Sequence, residues 1–211
     1  MILVPVAVVF LMFIYGSAIW TIAVALAVLL LLIIIIKPFS DRLNLKGLQF
    51  YRGDYGEKQV RKTLKKLPDN FSVFEDVRVG DKKGNIDFIV VGPTGLFLLE
   101  VKSFSGSVDF DGRELTLNGK VFRNRNFLRQ VHGEVWALKQ FLEGSGLVPY
   151  INSVLVFSSG RARLNFGFHP VENVYVIHKD SLQKLLHQFP SYNYPLPRER
   201  LEGKLSEVVG G

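Results

Sequence analysis

Three residues pose the chemical question. Asp87 stands in the apolar run 86–91, and Glu100 and Lys102 stand in a second run, 96–103. Gly92-Pro93-Thr94-Gly95 separates the two runs, which is a hairpin signal. With Val91 opposite Leu96 across that turn, Asp87 falls directly opposite Glu100. Directly opposed residues in an antiparallel pair bring their Cβ atoms to about 4.5–5.5 Å. Lys102 lies two residues beyond Glu100 and shares its face. Two carboxylates this close repel unless something neutralises them. Lys102 does part of that. A hard divalent cation does it better, because carboxylate oxygens are the ligands Mg²⁺ takes. The same residues also fit a surface salt-bridge patch on a half-exposed hairpin. Against that reading, the neighbours (Ile86, Phe88, Ile89, Val90, Leu98, Leu99 and Val101) are apolar on both faces, as in a strand covered on both sides. Charges at the end of such a strand are not ordinary solvated decoration.

The elements that must hold these residues are legible from periodicity and turn chemistry. The spacing of Val60, Leu64 and Leu67 predicts a helix over 54–67, stopped by Pro68. Glu57 shares that apolar face and so points toward the sheet. It also fits a capping box with Asp54 as the cap, and both roles stay open. Residues 71–79 read as a strand ahead of the hairpin. Asp111-Gly112 and Asn118-Gly119 punctuate a small β-meander over 106–122. Leu128, Val131, Val135, Leu138 and Leu142 mark a helix over 127–142. Residues 151–157 and 174–177 read as strands, and Asp180 caps a short helix to Phe189. Three prolines, Pro190, Pro195 and Pro197, then mark a loop before a tail that is helical or loose. The order predicts an α/β domain with a mixed sheet.

That order and its motifs resemble the PD-(D/E)xK nuclease superfamily, whose core runs α-β-β-β-α-β, a mixed sheet flanked by helices in the restriction-endonuclease-like manner. More narrowly they resemble the NERD domain, the nuclease-related domain. The matching residues are Gly56-Glu57-Lys58-Gln59-Val60, then Gly84-Asn85-Ile86-Asp87-Phe88-Ile89-Val90-Val91, then Gly95-Leu96-Phe97-Leu98-Leu99-Glu100-Val101-Lys102 with Gly106. Asn126-Phe127-Leu128-Arg129-Gln130 stands where the family has Asn-Pro-x-x-Gln, with Phe127 in place of Pro, and Glu134 stands where His is common. The resemblance implies that Asp87, Glu100 and the Val101 carbonyl hold a divalent metal, Mg²⁺ or Mn²⁺. It implies that Lys102 positions the attacking water and stabilises phosphorane charge, that Glu57 can complete the metal shell, and that Gln130 lines the site. A solvated amide at the helix start is the other reading of Gln130.

The chain has 211 residues and a net charge of +7, none of it from residues 1–36, where only Pro5, Gly16, Ser17 and Thr21 lie outside the apolar set. A helix of that length would measure about 54 Å against a hydrocarbon core of about 30 Å. One span using 17–36 is preferred, with two short passes as the alternative. Lys37, Arg42, Lys46 and Arg52 follow the run, so the positive-inside rule puts the rest in the cytoplasm. The expected organisation is a transmembrane segment in 1–37, a linker in 38–53, a NERD-like nuclease domain in 54–190 and a C-terminal tail in 191–211. No second long apolar run follows Lys37, which excludes a polytopic channel. The chain has no Cys, which excludes disulfides and thiolate chemistry. The four histidines lack metal-motif spacing. The basic balance favours a polyanionic partner. Lys120, Arg123, Arg125 and Arg129, flanked by Phe122 and Phe127, are the candidate phosphate contacts. The expectation is a membrane-anchored, metal-dependent nuclease cutting nucleic acid, DNA before RNA. The rival is a non-catalytic, membrane-tethered module that keeps the fold and binds nucleic acid or protein.

Overall fold

The computed structural model describes residues 53–80, 85–122, 125–189 and 197–209, together with 16, 20, 22, 24, 26, 29–35 and 37. The chain divides into two compact units, Met1–Tyr51 and Arg52–Gly211. In the first unit the described residues are helical, and apolar side chains such as Trp20, Leu30 and Ile34 are exposed. The expected membrane segment and linker fall largely outside the described residues. Among those described, no helix is long and apolar enough to cross a membrane.

The second unit is built on a mixed sheet. Helix α1 spans 53–64. It is followed by β1 (Ser72–Val77), β2 (Ile86–Gly92) and β3 (Gly95–Lys102). A meander follows as β4 (Gly106–Phe110), β5 (Leu115–Leu117) and β6 (Lys120–Val121). Then come α2 (Phe127–Glu143), β7 (Ile151–Phe157), β8 (Ala162–Leu164) and β9 (Val174–His178). Helices α3 (Leu182–Gln188) and α4 (Arg198–Ser206) close the chain. The strands form two sheets where one was expected. The five-stranded sheet runs β1-β2-β3-β7-β9, and the second runs β6-β5-β4-β8. The split occurs at Gly106, whose φ of +128° is open to glycine and turns the chain out of the first sheet.

The register of the β2–β3 hairpin is the expected one. Val91 pairs with Leu96, and Gly92 with Gly95, which leaves Pro93-Thr94 at the turn. Thr94 Oγ1 donates to the Leu186 carbonyl at 2.6 Å and ties the hairpin tip to α3. β3 then pairs in parallel with β7, and β7 with β9. Both faces of this sheet are covered. Phe88, Val90, Phe97 and Leu99 pack with Val60 and Leu64 of α1 and Leu185 of α3. Ile89, Val91, Leu96 and Leu98 pack with Leu128, Val131 and Leu138 of α2 and with Leu201 and Leu205 of α4. The residues read as a tail are therefore part of the core. Arg198 donates from its guanidinium to the Asn70 carbonyl at 2.7 Å, Ser72 Oγ donates to Glu202 at 2.7 Å, and Val77 bridges to Val209. These contacts cover the free edge of β1, an edge that would otherwise invite pairing with another chain.

Candidate functional site

Strand alternation sets the site. Asp87 follows the parity of Ile89 and Val91, and Glu100 that of Leu96 and Leu98, so both carboxylates belong to the sheet face that α2 covers. The antiparallel ladder stops one step short of them, at Phe88–Leu99. Beyond it, Asp87 Oδ2 accepts from the Val101 N–H at 2.7 Å, a side chain standing in for the next rung. In an extended strand a residue's N–H and C=O point to the same side, so the Val101 carbonyl faces Asp87 as well.

Glu100 is buried, at 3% exposure. Lys102 Nζ pairs with Glu100 Oε1 and also lies 5.0 Å from the centre of the Phe127 ring, whose face attracts a cation. Phe127 is the residue that stands in place of the family's proline. Gln130 Nε2 donates to Glu100 Oε1 at 2.6 Å and to Glu134 Oε1 at 2.8 Å. The fourth position of α2 thus reaches the carboxylate on β3 through its amide, while the residue as a whole stays exposed. What aims it is the cap: Asn126 accepts from the Arg129 N–H at 2.9 Å and donates to Glu114 of the loop before β5 at 3.1 Å.

The electrostatics reflect crowded acids. Burial and the neighbouring Glu100 charge push the Asp87 carboxyl up to about 8. Burial, then Glu100, push Glu134 up to about 7. Burial raises Glu57 as well, and Glu100 adds to that rise from across the site. Glu100 Oε2 and Glu134 Oε2 are buried without a hydrogen-bond partner among the described residues. An orphaned carboxylate oxygen costs free energy unless a ligand satisfies it. Asp87 Oδ1 also makes no hydrogen bond among the described residues. The donor set thus fits a hard cation. Among the described residues no three His, Asp or Glu side chains are arranged to hold a metal. A cation here would take two carboxylates, the Val101 carbonyl and waters, the sparse protein shell usual for Mg²⁺.

The remaining candidates fall into two groups. Glu57 lies on α1 near this cluster, but the capping box is not formed: the helix has already begun at 53, and Asp54 pairs with Lys58 at 2.8 Å. Arg125 and Arg129 line a cavity of about 800 Å³ with Gln130 and Phe127. Lys120 is exposed on β6 outside that lining, and Arg123 lies outside the described residues. Phe122 and Phe127 are buried, with centroids 4.6 Å apart, and Phe104 packs against both. They brace the site more than they offer a stacking surface. Glu134 was not among the residues expected to act here. Its signals were the family position where His is common and its place four residues after Gln130, one helical turn along the same face.

An α/β core with a carboxylate pair and a lysine at the open end of a central hairpin defines a nuclease-like protein. The chain belongs to the nuclease-related domain family, NERD, which matches residues 52–158. An uncharacterized protein of Bacillus anthracis is 26% identical over 168 residues, spanning 76% of this chain and 77% of that one. No solved structure matches.

Proposed function

We propose that the chain is a membrane-anchored nuclease that hydrolyses phosphodiester bonds, in DNA before RNA, with Mg²⁺ or Mn²⁺. The observation that carries this is Glu100: a buried carboxylate with one oxygen unpartnered, beside Asp87, with Lys102 on its other oxygen. A divalent cation bound by Asp87, Glu100 and the Val101 carbonyl would polarise the phosphate and make water more acidic. The chain's own residues do the rest. Lys102 has three N–H donors, one spent on Glu100, which leaves two for the attacking water and the charge that develops on the phosphorus oxygens. Gln130 holds the Glu100 carboxylate in one orientation. Arg125 and Arg129 grip flanking phosphates through the cavity they line. Residues 1–36, apolar at 32 positions, anchor the chain, with the domain on the cytoplasmic side.

One observation favours the rival binding module: the Lys102 ammonium neutralises the Glu100 carboxylate without a metal ion. The deciding experiment incubates the full-length chain with circular and single-stranded DNA in Mg²⁺, Mn²⁺ or EDTA, beside Glu100→Gln. Cleavage that needs the metal and vanishes in the variant supports the enzyme. A wild-type chain that binds DNA and cuts it in no metal sinks the enzyme and promotes the module.

A further inference from the structure

Three parallel strands end in step. Lys102, Phe157 and His178 are register partners across β3, β7 and β9. The residues that follow them, Ser103, Ser158 and Lys179, therefore leave the sheet side by side, and all three line one cavity of about 700 Å³. The carboxyl ends of parallel strands are where open α/β sheets bind ligands. Helix α1 closes on this end so tightly that a Cβ on Gly56 would meet Ser158 Oγ at 2.5 Å, and the neighbouring Tyr55 and Gln59 form the cavity's other wall.

The lining has one chemical character. The turn after β3 brings Ser103 and Ser105, and the turn after β7 brings Ser158 and Ser159. Ser105 Oγ and Ser159 Oγ lie 2.7 Å apart across the two turns. Arg161 adds an exposed guanidinium with no side-chain partner among the described residues. Lys179 adds an ammonium, held at 2.6 Å by Asp180. No acidic side chain lines the cavity. Hydroxyl donors around a free guanidinium are a phosphate's partners.

We propose that this cavity is a phosphate subsite, taking the phosphate of the nucleotide next to the bond that is cut. It begins one residue from Lys102, whose carbonyl accepts from the Ser158 N–H at 2.9 Å. It complements the cavity of Arg125 and Arg129, and Phe104, which lines it, packs on Phe122 and Phe127 of that other cavity. The identity of the ligand as nucleic acid rests on the nuclease reading above; the preference for phosphate does not.

The test is calorimetric titration of the full-length chain in detergent with EDTA, so that no bond is cut. The probes are 5′-phosphorylated dithymidine, the same dinucleotide without its terminal phosphate, and inorganic phosphate. The expected result is about tenfold tighter binding of the phosphorylated dinucleotide, lost in Arg161→Ala and regained in part by Arg161→Lys. If Arg161→Ala fails to fold, the double variant Ser105→Ala with Ser159→Ala carries the same expectation. Equal binding of the two dinucleotides with no binding of inorganic phosphate, or a preference that survives in these variants, overturns the subsite. Inorganic phosphate binding without any gain from the dinucleotide's phosphate overturns its assignment to nucleic acid. A chain that shows the preference but cuts DNA in no metal keeps the subsite and loses the nuclease. One that cuts and shows no preference does the reverse.

Discussion

Lys102 separates two kinds of site by a single substitution. In a purely structural pair, removing one partner of this largely buried bridge would cost about 3–5 kcal/mol of stability, by leaving Glu100 as an uncompensated buried charge, and would do nothing else. In a nuclease, Lys102→Met is expected to lower the cleavage rate by about a hundredfold or more, because it removes a donor that acts in the transition state. Metal affinity should change little, since the cation's oxygens stay; single-turnover cleavage beside Mn²⁺ titration checks both. The acids make a second prediction. Asp87 holds its proton more tightly in the folded chain than at its ordinary value of 3.8, with a folded value of about 8. The stability this contributes is present in full below pH about 4 and is lost progressively as pH rises through about 8. Glu134, raised to about 7, acts in the same direction. In EDTA the melting temperature should therefore fall between pH 5 and pH 8, and millimolar Mg²⁺ should restore part of it at pH 8. A melting temperature flat across that range would refute the crowded-acid account. Asp87, Glu100 and Lys102 could be brought together from sequence because β alternation and one turn fix their face. Glu134 and the serine turns could not, because their place depends on how α2 and β7 pack on the sheet.

Among the elements, α4 reads worst in the sequence and matters most to the sheet edge. Arg198–Ser206 carries only two leucines in nine residues, so its polar composition reads as a tail. Both leucines are fully buried, and Arg198 and Glu202 link the helix to Asn70 and Ser72 beside β1. Leu201→Ala should cost about 2–5 kcal/mol by cavity formation, visible as a lowered denaturant midpoint. The same cost from a surface Glu199→Ala would show that burial is not the cause. β8 was also missed: three residues, Ala162–Leu164, give too short a run for period two to register. The hairpin was legible throughout, since Gly92 and Gly95 bound two apolar runs of strand length. Helix α2 predicts its own test. Gln130→Ala removes the donor shared by Glu100 and Glu134, so the two acids should repel more strongly. The expected readouts are weaker Mn²⁺ binding and, by the same linkage, a smaller stabilisation by Mg²⁺ at pH 8 than in the wild type.

At the scale of the whole molecule, charge and hydropathy are segregated. All of the +7 net charge lies after residue 36. The chain is expected to sediment with membranes and to stay there through an alkaline wash, while one lacking residues 1–36 should be released; recovery of the full chain in the wash would refute the anchor. Affinity for DNA should fall steeply with salt, as phosphate contacts require. The packing of α4 on β1 has a consequence in time. Ser72 and Glu202 touch across 130 residues of chain, and Val77 waits for Val209. At ribosomal speeds that gap is on the order of 10 s. During each round of synthesis β1 therefore emerges with its outer edge bare. Nascent copies crowded on one message meet as open strand edges, and the segment that retires the hazard is made only some 130 residues later.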